Sequence, residues 1–113
     1  MTAYTAVLCA APQCRAPRLT ARLRDTVGAS GHGVLVISGC TVGGLACRAR
    51  APGAMLVVQP CDTARRPTGP AIHVGPIGPA DVEAVVAWLA RTPLDPDGLP
   101  ARLTDLRARS VAN

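Results

Sequence analysis

Ala3 to Leu8 is a short run of small, β-branched and aromatic residues ended by Cys9 and Pro12, which predicts a first strand. From Pro17 the period changes. Leu19, Leu23 and Val27 recur at helical spacing with Ala16 alongside, while Arg15, Arg18, Arg22 and Asp25 take the opposite flank. This predicts an amphipathic helix stopped by Gly28. Val34 to Ser38 is almost wholly apolar and follows a Gly-rich turn, as expected of a central strand covered on both faces. Two strands joined by a helix form a right-handed βαβ unit whose strands are parallel and end at the same edge of the sheet. Cys9 and Cys40 are therefore expected at one edge.

The stretch from Gly39 to Gly53 is rich in Gly and predicts an irregular loop. Ala54 to Gln59 and Ala71 to Gly75 read as two further strands, an antiparallel hairpin around the turn-rich Pro60 to Pro70. Pro79 at a first helical position, Asp81 and Glu83 in the first turn, and Val82, Val85, Val86 and Leu89 on one face predict a second helix ending before Pro93. Leu99, Leu103 and Leu106 predict a short final helix packed on the sheet. The pattern gives a single α/β domain over 1–113, with its core at about 3–92 and a C-terminal extension at 93–113. Its mixed four-stranded sheet, β-α-β-β-β-α plus a short helix, has the element order of a thioredoxin-like domain.

Composition narrows the chemistry. The 113 residues contain no Phe, one Trp and one Tyr, so the core must be aliphatic and base-stacking platforms are excluded. All twelve basic residues are Arg against seven acids, a net charge of +5. That balance favours an acidic partner surface, with nucleic acid the weaker alternative, and the missing Lys excludes Schiff-base and P-loop chemistry. No apolar stretch approaches the ~18 residues that a membrane span needs. Met1 to Ala11 lacks a basic leader and a small residue before Cys9, so a cytoplasmic location is expected.

Five cysteines in a reducing compartment point to metal or redox chemistry rather than structural disulfides. Cys9 and Cys14 are spaced C-x4-C after the first strand, and Cys40 and Cys47 C-x6-C after the second. Four thiolates on two adjacent loops can hold a 2Fe-2S cluster, since each iron takes two protein ligands. Gly39, Gly43 and Gly44 would allow close backbone approach to the sulfurs. Arg15, Arg48 and Arg50 would favour the thiolate forms. The same thiols could instead bind zinc, form a redox dithiol or hold no cofactor.

In these residues the chain resembles the thioredoxin-like 2Fe-2S ferredoxins of the short actinobacterial type, and the related cluster subunit of respiratory NADH dehydrogenase. The resemblance rests on Cys9-Ala-Ala-Pro-Gln-Cys14, on Ser38-Gly39-Cys40-Thr-Val-Gly-Gly44, and on Leu56 to Pro60 through Arg65 to Gly75. The helix with Trp88 and the stretch Leu99-Pro-Ala-Arg-Leu103 extend it to about residues 3–106. It implies a thioredoxin-like fold, a cluster on the two loops and one-electron transfer or redox sensing. The chain departs from the family at one place. The family's second pair is C-x3-C, which would put a cysteine at position 44; here that residue is Gly44 and the next cysteine is Cys47.

The remaining candidates read as structural. Cys61 follows the third strand and should fall at the opposite edge, as an unpaired buried or semi-exposed thiol. His32 and His73 are expected far from the cysteine edge. Arg15, Arg18 and Arg22 form a stripe beside Cys14 that could dock an acidic partner or simply face solvent. With a single Glu and scattered Asp, no triad or carboxylate pair emerges, which argues against an enzyme with its own substrate pocket. The expected function is a 2Fe-2S electron carrier or redox sensor acting with a partner enzyme. A cluster-less interaction module and a zinc-binding protein using the same thiols are the alternatives, and homodimerisation stays open.

Overall fold

β1 (Ala3–Cys9) runs inside the sheet, and alternation along it sets the two layers. Tyr4, Ala6 and Leu8 are buried on the face that receives the helices, while Thr5 and Val7 on the other face are half-buried. The structure, a computed structural model, describes residues 3–9, 16–38, 53–91 and 94–104. Parallel to β1 lies β2 (Gly33–Ser38), and antiparallel on its other side lies β3 (Ala54–Cys61). β4 (Ile72–Ile77) pairs antiparallel with β3, giving one mixed sheet of order β2-β1-β3-β4. The fold is α/β.

α1 (Pro17–Ser30) connects β1 to β2 and buries Leu19, Leu23 and Val27, the stripe read from the sequence. Pro17 suits the first helical position because its missing N–H would have no partner there. The helix does not stop at Gly28. It continues to Ser30 and ends on Gly31, whose φ of 72° is the left-handed cap conformation. Ser30 Oγ donates to the Val27 carbonyl and accepts from the Gly33 N–H, so the turn after residue 28 is tied down. One interior glycine costs about 0.5–1 kcal/mol relative to alanine, too little to end a helix whose next turn is held this way.

The expectation of a central, doubly covered β2 is also corrected. β2 is an edge strand, with Val34 40%, Val36 41% and Ile37 41% exposed. An apolar β-branched run reports strand preference; it does not report how many neighbours the strand has.

A 3-10 turn at Pro79–Asp81 leads into α2 (Val82–Leu89), which packs against α1 on the same face of the sheet. A second 3-10 turn at Pro96–Gly98 and the short α3 (Ala101–Thr104) close the core, with Leu99 and Leu103 joining Trp88. Trp88 Nε1 donates to the Asp95 carbonyl at 2.7 Å, so the lone indole is satisfied while buried. Leu106 lies outside the described residues. Among those residues no helix is long and apolar enough to cross a membrane.

Two glycines make opposite predictions. The exposed Gly28 has open space where a Cβ would go, so Gly28→Ala should stabilise the protein by about 0.5–1 kcal/mol in urea unfolding. Gly33 is the register partner of Tyr4, and a Cβ there would lie 2.6 Å from the Tyr4 hydroxyl oxygen and against the ring. Gly33→Ala should therefore destabilise by about 1–3 kcal/mol, the range for overpacking a filled site.

Candidate functional site

Cys9 and Ser38 are the last residues of two parallel strands and are register partners. Chains leaving β1 and β2 therefore start side by side, one towards Cys14 and the other towards Cys40 and Cys47. The described fold resumes at Ala16 and at Gly53, and both residues line one cavity of about 410 Å³. Each cysteine-bearing segment is thus anchored at both ends on the same edge of the sheet. Cys9 itself is 2% exposed and shares with Thr5 and Val7 the face turned away from α1 and α2. Met55 on β3 is buried on that face as well.

Cys14, Cys40, Cys47, Gly39, Gly43, Gly44, Arg15, Arg48 and Arg50 lie outside the described residues, so of the expected ligands the structure describes Cys9 alone. Among the described residues no three His, Cys, Asp or Glu side chains come together as a metal site. Cys61 is placed at the opposite edge, as expected. It ends β3 opposite Ala3, six residues along β1 from Cys9, or about 20 Å at ~3.3 Å per residue. There Arg65, at φ 65°, directs Nη1 to the carbonyls of Tyr4 (3.0 Å) and His32 (3.1 Å) and to Cys61 Sγ (3.7 Å). His32 belongs to that far edge, and His73 pairs with Val57 within the sheet. Neither stands at the end of β1.

The cavity was not legible in the sequence. Leu19 of α1, Val82 of α2, Ala54 of β3 and Ile77 of β4 face it from four elements, with Pro17, Arg18 and Pro79 at the helix starts. Ile77 reaches it through an irregularity: the β3–β4 register shifts by one residue between Ala54 and Leu56. Gly75 sits at this shift with φ 139°, where a Cβ would come 2.6 Å from the Ala54 carbonyl oxygen. The shift returns Ile77 to the helix-covered face that Ile72 and Val74 already share.

Two ion pairs organise charge at this edge. Glu83 accepts from Arg22 Nη2 at 2.9 Å and Nε at 3.1 Å, tying α2 to α1, and Arg18 approaches it to 3.9 Å. Arg22, one of the three arginines expected to form a docking stripe, is therefore shared with an internal carboxylate. Asp81 is buried and accepts from the Gly78 N–H at 3.0 Å and from both terminal nitrogens of Arg102. These hydrogen bonds, Arg102's foremost, hold the Asp81 carboxyl below its usual value against the opposing effect of burial. Neither pairing has a local signal, being 61 and 21 residues apart in sequence.

No protein-family model matches this chain, and no curated protein or solved structure matches it.

The Asp81–Arg102 pair predicts an acid limb. A carboxyl depressed in the folded state stabilises it fully above the unfolded value, ~3.9, and loses that contribution as pH falls through the folded value. Below about pH 4 the wild type should lose stability faster than Arg102→Gln, measured by urea unfolding at several pH values. Equal slopes would show that the pair does not couple folding to this proton.

Proposed function

We propose that this chain is a thioredoxin-like 2Fe-2S protein that exchanges single electrons with a partner enzyme or reports redox state to it. The observation that carries the reading is the common anchoring of the two cysteine segments, which leave from the paired residues Cys9 and Ser38 and return at one cavity. The parallel β1-α1-β2 unit followed by an antiparallel β3-β4 hairpin and α2 supports the thioredoxin-like part.

Cys9, Cys14, Cys40 and Cys47 are the ligand set in this reading, and a bound 2Fe-2S cluster supplies one-electron chemistry. Cys9 offers its sulfur from the end of a central strand, shielded from water. Gly39, Gly43 and Gly44 let backbone amides approach the sulfurs, and Arg15, Arg48 and Arg50 favour thiolates. An acidic partner docks at the Arg15 and Arg18 end of the stripe, with Arg22 already engaged by Glu83. Gly44 in place of the family's cysteine makes Cys47 the decisive ligand, and it is this substitution that keeps zinc binding and a cluster-less module as rival readings.

The test is anaerobic purification with metal analysis and a visible spectrum. The expected product is red-brown with about two irons per chain. Cys9→Ala and Cys47→Ser should each bleach or shift the spectrum, and Cys61→Ser should leave it unchanged. The double variant Gly44→Cys, Cys47→Ala should bind iron at least as well as wild type. Zinc in stoichiometric amount would favour the zinc reading. Colourless, metal-free protein that also fails reconstitution would leave only the interaction module.

A further inference from the structure

We infer that the cavity between the start of α1, the start of α2 and the ends of β3 and β4 binds a small aliphatic carboxylate. Its volume of about 410 Å³ lies within the ~300–1,000 Å³ typical of small-molecule sites. The walls are aliphatic: Leu19, Ala54, Ile77 and Val82, with Pro17 and Pro79. The described walls offer neither a ring to stack on nor a pattern of polar side chains to read a sugar or a base. They suit a hydrocarbon chain.

Among the described lining residues the charged one is Arg18, whose side chain is 66% exposed. Around it two guanidiniums share one carboxylate. Glu83 makes its hydrogen bonds to Arg22 and stands 3.9 Å from Arg18, beyond hydrogen-bond distance, so Arg18 keeps its donor fork for another carboxylate. Asp81, the other nearby acid, is occupied by Arg102 and the Gly78 N–H. The first turn of α1 carries no acid and no side-chain cap, so the backbone adds to the positive potential. The charge complement of this mouth is an anion, and the complement of its walls is an alkyl chain.

The experiment titrates the full chain with octanoate, octanol and acetate and follows backbone amides by NMR. Octanoate should shift Leu19, Ala54, Gly78 and Val82 saturably. Acetate, without the six methylenes that the walls would cover, should bind more than about a hundredfold more weakly, and octanol, without the charge, roughly tenfold more weakly, the size of one charge-assisted hydrogen bond. Arg18→Gln should weaken octanoate by a similar factor and leave octanol unchanged. The absence of saturable shifts at these amides, octanol binding as well as octanoate, or an unchanged affinity in Arg18→Gln would each overturn the assignment. None of the described cavity-lining residues is a cysteine, and the amide shifts are read separately from the iron content that tests the proposed function.

Discussion

Everything at the candidate edge follows from the parallel pairing of β1 with β2. The crossover through α1 returns the chain parallel to β1, so the two strands end together, and the register brings Cys9 opposite Ser38. β3 then lies on the other side of β1 and runs antiparallel, so it must begin at the edge where β1 and β2 finish. β4, antiparallel to β3, must finish there too, and α2 starts from it. Four strand ends and two helix starts meet at one edge because of that one parallel pairing. β2 and β3 flank β1, so the 15 residues between Ser38 and Ala54 join strands two spacings, about 10 Å, apart.

The sequence revealed most of this, because the informative signals were periodic and local. Leu19, Leu23 and Val27 fixed the face of α1, and Val82, Val85, Val86 and Leu89 that of α2. Where reading failed, competing physics decided. Gly28 was taken for a stop, but the cap is set by Gly31 with Ser30, whose hydrogen bonds depend on the turn into β2. Val34 to Ser38 reads as a central strand yet lies at the edge, because edge and centre differ in their neighbours and a neighbour leaves no trace in the strand's own residues. The shared edge at which β1 and β2 end was legible through topology. The cavity was not, since it depends on the register shift at Gly75 and on side chains from four elements.

The two faces of the sheet separate two kinds of chemistry at the same edge. On the helix side the apolar core opens between the starts of α1 and α2, and the opening is aliphatic. On the other side the row Thr5, Val7, Cys9 leads to the thiol. Strand alternation enforces the separation: Leu8 and Cys9 are neighbours in sequence and must point to opposite faces. A ligand in the cavity and a metal on the thiols would therefore not share side-chain contacts with the described residues.

Charge connects the two sides. The chain has only seven acids against twelve arginines, and two of the seven, Asp81 and Glu83, stand at the start of α2, where acids favour a helix. Each is also bound by an arginine from another element: Arg102 brings the C-terminal α3 against the start of α2, and Arg22 clamps α1 to it. The acids that could have neutralised the edge serve as its fasteners instead. Arg18, 3.9 Å from a carboxylate already hydrogen-bonded to Arg22, and the uncapped start of α1 are left only partly compensated, which favours negative charge at this edge. A set of thiolates, an acidic partner and an aliphatic carboxylate all satisfy that preference, and the same two ion pairs that hold the helices in place create it.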